Sequence, residues 1–225
     1  RMTARRPLAG IGVGVPATLR AAEGKALPRG CNLPGLNEFR LGDRLRELTS
    51  RPVHVANDAD MAMAGEARFG AARGVRNAVA ITIGTGIGTG LWLDGKLWEG
   101  AHGSGAEFGL AHGPDVPQRK GGPRWVTLEA AATGEAVRGW AGADAETIFA
   151  RARDGDRAAL DAVATVCEHL GVAVANIHLM LDLELALLCG GMARAGDALL
   201  EGVQAAFRAH CVDYCQPGLE IKLGA

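Results

Sequence analysis

The stretch that most restricts how this chain can fold is Ile81–Gly90, ITIGTGIGTG. A β-branched apolar run (Val79, Ile81, Ile83) breaks into Gly84-Thr85-Gly86, and a second apolar run follows through Leu91, Trp92 and Leu93. Two such runs flanking a glycine tip predict antiparallel strands joined by a hairpin. Glycine lets backbone approach a ligand closely there, and clustered N–H groups with a Thr hydroxyl can hold phosphate oxygens. Taken alone, the hairpin reads equally well as a tight turn with no ligand, because short glycine motifs recur by chance.

Around it the periodicity alternates between strand and helix. Ile11–Val15, stopped by Pro16, predicts a buried strand, and residues 17–37, rich in Gly, Pro and small side chains, predict a long loop with a turn at Asn32-Leu33-Pro34-Gly35. Glu38–Leu48 carries Phe39, Leu41, Leu45 and Leu48 at helical spacing. Val53–Ala56 predicts a short strand, and Asn57–Asp60 introduces a helix over Met61–Phe69. Beyond the hairpin, Lys96–Trp98 predicts a third strand and residues 99–124 an irregular loop. Helices are expected over Trp125–Ala132, from Thr133, over Ala145–Arg153 and over Asp156–Leu181, the last with Leu160, Val163, Cys167, Leu170, Val174, Ile177 and Leu181 on one face. Leu185–Cys189 predicts a buried strand ending at Gly190-Gly191, followed by a helix over Asp197–His210 and a strand over Leu219–Leu223. The expected class is α/β with two lobes, 1–75 and 76–225.

Composition narrows the function. With 24 Lys and Arg against 25 Asp and Glu, nothing favours nucleic acid or an anionic membrane as partner. No run approaches the roughly 20 apolar residues of a membrane span, and no signal-peptide core opens the chain. Five scattered cysteines, with Cys167 and Cys189 in apolar settings, predict reduced, buried thiols in a cytoplasmic protein, and the Cys211/Cys215 pair lacks the further ligands a zinc site needs.

Four groups carry candidate chemistry. Asn57-Asp58 lies where a buried strand hands over to a helix, the crevice end of an open α/β sheet. A carboxylate there can take a proton from an attacking hydroxyl, while a plain helix-cap reading of Asp58 stays open and Asp60 is the more natural first-turn acid. Glu107, in GSGAEFG, and Glu129, in LEAAATG, can accept hydrogen bonds from polyol hydroxyls or stand as solvated surface acids. Gly190-Gly191 can bring backbone against a flat or anionic group or simply turn the chain. His102 and His112 flank Glu107 and can reach a ligand, whereas His178 falls beside the apolar face of the long helix as a core or interface residue.

Taken in order, IGVGVP, NLPG, VANDAD followed by a small-residue helix with Glu66, ITIGTGIGTG, the stretch ending in AEFG, LEAAATG and CGGM resemble the ROK family of sugar kinases and repressors, a branch of the actin-like, ribonuclease-H-like ATPase fold. The resemblance implies an ATP-dependent hexokinase acting on the 6-hydroxyl, with glucose first among substrates, in a carbohydrate-catabolic, glycolytic role. Asp58 would be the general base. Asn57, Glu107 and Glu129 would hold the sugar, with Thr85, Gly86 and Gly88 on ATP phosphates and Gly190-Gly191 beside the nucleoside. Mg²⁺ would neutralise phosphate charge, and the family's habit makes a homodimer the expected assembly.

Three departures from the family pattern modify these expectations. Where many members place a His three residues after the loop glutamate, this chain has Leu110. Where they carry a CGCGxxGC zinc loop, it has VPQRKGGPRWVTLE, so no structural zinc is expected. The family's first phosphate motif, an Asp followed by two glycines, is absent, which predicts an incomplete first lobe in a chain cropped at its N-terminus and slightly at its C-terminus. An N-acetyl amino-sugar kinase, a sugar-responsive repressor and an inactive paralogue remain the competing readings.

Overall fold

The computed structural model describes residues 8–20, 25–31, 33–36, 39–117, 121 and 123–224. The chain divides into two units, Arg1–Met61 with Glu99–Gly105, and Ala62–Trp98 with Ala106–Ala225.

In the first unit, β1 (Ile11–Val15) runs parallel to a strand further along the chain, here β4 (Val53–Asn57), with Ile11 opposite Val53 and Val15 opposite Asn57. Between them lie β2 (Ala17–Arg20), β3 (Lys25–Cys31), a short 3-10 turn at Pro34–Leu36 and α1 (Leu41–Thr49). The long loop expected over 17–37 is therefore corrected: β2 and β3 pair antiparallel, with a register shift between Ala17 and Leu19. A two-stranded ribbon needs only backbone bonds, and β3 carries Pro28, which has no N–H to offer the ladder. Such a segment shows little apolar alternation in sequence. Of the expected turn, Leu33–Gly35 is described and Asn32 lies outside the described residues. Val15 and Ala17 are buried against Leu41 and Val55.

α2 (Asp58–Phe69) follows β4 without a break, and the division between units falls after its first turn. The glycines of IGVGV serve this junction. A Cβ on Gly14 would lie 3.3 Å from Cα of Asp58, and one on Gly12 would lie 3.4 Å from Cε of Met61. A larger side chain at either position would push the start of α2 off the strand pair.

The second unit is built on a sheet whose first three strands are β5 (Ala78–Ile83), β6 (Ile87–Leu93) and β7 (Lys96–Leu97), a meander. A small ribbon of β8 (His112–Pro114) and β9 (Trp125–Thr127) leads into α3 (Leu128–Ala132). Helices α4 (Gly134–Ala141), α5 (Ala145–Arg153) and α6 (Arg157–Leu181) follow, then β10 (Leu185–Cys189), α7 (Asp197–His210) and β11 (Glu220–Leu223). The sheet order is β11-β10-β5-β6-β7, with β10 parallel to both β11 and β5. Trp125–Ala132 was expected to be one helix. It splits instead because Trp125 and Val126 pair with the β8 backbone, and the Thr127 side chain caps α3 by accepting from the Ala130 amide at 3.2 Å.

β5 and β10 are buried almost throughout because both faces of the sheet are covered. Val79, Ile81, Ile83, Ala186 and Leu188 join the core of α6 and α7, while Ala78, Ala80, Leu185, Leu187 and Cys189 pack with Met63 and Ala72. Burial, with the Glu66 carboxylate adding to it, pushes the Cys189 thiol up to about 11, and burial alone pushes Cys167 up to about 12. α6 and α7 meet at small residues: a Cβ on Gly202 would lie 2.5 Å from Sγ of Cys167, and one on Gly171 would strike Ala206 and lie 2.8 Å from the Phe207 nitrogen.

An 18-residue window of α6 is apolar enough to cross a membrane, but half of it is buried inside the protein, as in a core helix. Its buried face runs through Ala159, Ala162, Val166, Leu170 and Ile177, which leaves Leu160, expected on the inward face, 43% exposed. The first turn of α6 packs with alanines, one position from the larger side chain. His178 is core, as expected: its Nδ1 accepts from the Leu183 amide at 3.1 Å and its Nε2 lies 3.0 Å from the Cys215 carbonyl.

Candidate functional site

The two units each present part of the expected site. In the first, Asn57 is the residue that caps α2. Its Oδ1 accepts from the Ala59 and Asp60 amides at 2.8 and 3.3 Å, and its Nδ2 donates to the Ala17 carbonyl at 3.2 Å. Asp58 is thereby released from the capping role and opens the helix as an exposed residue, with Oδ1 accepting from the Ala59 amide at 3.0 Å. A carboxylate at this position sits in the favourable end of the helix dipole. His102 also belongs to this unit.

In the second unit, two segments distant in sequence, Ala106–Phe108 and Glu129–Gly134, are tied to one hairpin. The tip between β5 and β6 is closed by the Gly84 amide donating to the Gly86 carbonyl at 2.9 Å, and the Gly134 amide at the start of α4 donates to the Gly84 carbonyl at 3.0 Å. Oε1 of Glu129, on α3, accepts from the Ile87 amide at 2.8 Å. Glu107 is held from the other side of the turn. Thr89, buried on β6, donates to the Ala106 carbonyl and accepts from the Phe108 amide at 3.1 Å, so its hydroxyl brackets the residue between them. Ala106 has φ +62°, a left-handed backbone that costs an L-residue on the order of 1 kcal/mol and persists where neighbours over-determine it.

Packing inside the protein accounts for one of the hairpin glycines. Neither Gly84 nor Gly86 has a left-handed φ; a Cβ on Gly86 would instead lie 2.7 Å from Oε1 of Glu129, while Gly84 faces open space. Gly109, two residues after Glu107, has no room either, since a Cβ there would run into the Ile87 carbonyl and come within 3.2 Å of Cγ of Glu129. At the end of β10, Gly190 has φ +86° and its Cβ would lie 2.7 Å from the Ile83 carbonyl oxygen, so this position admits glycine alone.

A cavity of about 400 Å³ opens between Gly84, Gly134 and Gly191, with Phe149 and Met192 as apolar wall. Glu146, Arg153 and Arg194 add charge to its rim. An apolar wall with a few polar groups and exposed backbone suits a nucleoside-sized ligand. Thr85, Gly86 and Gly88 belong to the hairpin but do not line this cavity, and Gly190 shapes the turn that places Gly191 on it. Phe149, Arg153, Arg194 and Gly134 escaped the sequence reading. Of the residues that line it, Gly191 was named from the sequence as part of the Gly190-Gly191 pair expected beside the nucleoside. His112, the other histidine near Glu107, lines a separate cavity of about 330 Å³ with His169, His210 and Phe108. Among the described residues no three His, Cys, Asp or Glu side chains converge as a metal site.

Comparison with known proteins follows the same residues. The ROK family model matches residues 2–222. The glucokinase of Halalkalibacterium halodurans is 31% identical over 96% of this chain and 71% of its own length. The glucokinase of Thermotoga maritima is 34% identical over 92% of this chain and 70% of its own. Among solved structures, the ROK hexokinase of Thermus thermophilus superposes with a TM-score of 0.77 at 29% identity, covering 96% of this chain and 74% of that one. With its fold that of the actin-like, ribonuclease-H-like ATPases and the match running over nearly all of its length, the chain belongs to the ROK family.

Proposed function

We propose that this chain transfers the γ-phosphate of ATP to the 6-hydroxyl of a hexose, and that the hexose is glucose. The observation that carries the reading is the second unit's shared frame: two glutamates able to accept from sugar hydroxyls are fastened to the hairpin whose tip amides suit phosphate. The cavity beside Gly84 and Gly191 would take the nucleoside. Similarity to curated glucokinases supports sugar kinase chemistry and favours glucose. In this reading residues 1–75 supply the base and residues 76–225 the phosphate, nucleoside and glutamate contacts.

Asp58 would accept the proton of the attacking hydroxyl, with Asn57 holding the helix that presents it and offering its amide to the sugar. Phosphoryl transfer leaves the protein little covalent chemistry, so positioning and charge stabilisation supply the rate. Any Mg²⁺ would be held by phosphate oxygens and water with one or two carboxylates at most, the donor set this ion prefers, and would neutralise developing charge.

A coupled assay with ATP and a panel of glucose, N-acetylglucosamine and N-acetylmannosamine tests the proposal. Turnover confined to glucose is the expected result, and Asp58→Asn should lower kcat by about 10²–10⁴ while helix content stays unchanged. Phosphorylation of an acetylated sugar in preference to glucose would overturn the substrate, and no phosphorylation of any sugar would overturn the kinase.

A further inference from the structure

We infer that Glu129 is a positioning residue for the phosphate hairpin, acting through the Ile87 amide, in addition to any contact with sugar. For the identity of its ligands the inference rests on the kinase reading above. Oε1 of Glu129 accepts from the Ile87 nitrogen at 2.8 Å, and Ile87 is the first residue of β6 after the Gly84-Thr85-Gly86 tip. This side-chain bond reaches the tip from a distant element, 42 residues along the chain. A backbone bond from Gly134 at the start of α4 to the Gly84 carbonyl adds a second long-range tie. Thr133 joins the two helices: its amide donates to the Glu129 carbonyl at 3.3 Å and its hydroxyl caps α4.

The surrounding glycines point to the same tie. The absence of a Cβ at Gly86 leaves room for Oε1, and its absence at Gly109 leaves room for both the Ile87 carbonyl and the Glu129 stem. The carboxylate therefore spans two tasks. One oxygen holds the hairpin strand whose tip faces phosphate, and the other is left for a donor such as a sugar hydroxyl. A hydroxyl that draws on this carboxylate bears directly on the bond that sets the hairpin, so hexose and nucleotide would sense each other through a single side chain.

The test compares Glu129→Ala with Glu129→Gln, since both remove the charge but only Gln can still accept from the Ile87 amide. Two quantities are read on the hexose-free protein: hydrogen exchange at Ile87, and the Kd for AMPPNP with Mg²⁺. Glu129→Ala should exchange Ile87 at least about tenfold faster than Glu129→Gln and bind AMPPNP about fivefold more weakly. Gly86→Ala reaches the same tie from the other side, by displacing Oε1, and should speed Ile87 exchange likewise; it keeps the test open if Glu129→Ala fails to fold. Equal Ile87 exchange in the two Glu129 variants would overturn the inference. Equal AMPPNP affinity, with the wild type binding normally, would overturn it while leaving the kinase reading intact. A wild type that binds no nucleotide would remove the kinase reading and the coupling together.

Discussion

The start of α2 and the glycine hairpin hold their chemical groups in opposite ways. At α2, Asn57 caps a helix that begins one residue later, and Asp58 takes its place from the strand-to-helix junction itself. What orients it lies mostly within three residues along the chain, with two longer-range ties: the close approach of Gly14 and the bond from the Asn57 amide to the Ala17 carbonyl. At the hairpin, Glu129 and Glu107 owe their positions to partners that are distant in sequence, Ile87 and Thr89. A group placed by local structure is robust, because one capped helix turn suffices. A group placed by long-range bonds is adjustable, because what binds to it can be felt elsewhere in the frame.

Substitutions can break this contrast. The largest effect is expected for Gly109→Ala, whose new Cβ would overlap the Ile87 carbonyl and press on the Glu129 stem. Backbone must move, at a cost of about 1–3 kcal/mol in urea unfolding. Because the frame is shared, hexose and nucleotide affinity should both fall. If only one of them falls, the glutamates and the hairpin are not one mechanical unit.

Asn57→Ala should cost less, about 1 kcal/mol, since the Ala59 and Asp60 amides lose their acceptor but the helix persists. Measured by thermal unfolding, that loss should appear without change in AMPPNP affinity, in keeping with a locally held group. Gly84→Ala should change stability by no more than about 0.5 kcal/mol, since its Cβ would meet open space and its φ is not left-handed. A large loss of nucleotide affinity in this stable variant would show that phosphate approaches the tip at that point.

The core thiols lie outside both regions and respond to pH alone. In the folded chain Cys167 and Cys189 hold their protons to about 12 and about 11, against an ordinary thiol value of 9.0. Above pH 9 the unfolded chain binds fewer protons than the folded one, so stability should be fully present below that pH and fall as pH rises toward 11 and 12. Below pH 9, a thiol reagent should modify half-buried Cys215 before either of them. Rapid labelling of Cys189 would show that the face of the sheet packed with Met63 opens more readily than its burial suggests.

Much of this was legible because it is written in neighbouring residues. The unbroken apolar run at Leu185–Cys189 marked a buried strand, and the β-branched run Val79, Ile81, Ile83 before the glycine tip marked the hairpin between β5 and β6. α5 and α6 start within one residue of where their spacing placed them, behind Asp144 and Asp156, each of which accepts from the amide three residues on. The ribbon of β2 and β3 was not legible, because strands carrying Pro and Gly show no alternation and are recognised only by what they pair with. Nor was the split of Trp125–Ala132, where Val126 pairs with Gly113 and thereby overrides the helical spacing.

The same division runs through the site. By itself the sequence determined the family, the hairpin, the strand-to-helix junction at Asn57-Asp58 and the residue types available for chemistry, since each depends on periodicity or on contacts within a few residues. Only the tertiary structure decided that Asn57 rather than Asp58 carries the cap, that Glu129 reaches the Ile87 amide, and that Gly86 and Gly109 are small to make room for that reach. It also decided that Phe149, Arg153 and Arg194 share a cavity with Gly84. Hydrogen bonds and close packing between segments depend on how the chain closes on itself in space, and no local pattern of residues carries that distance.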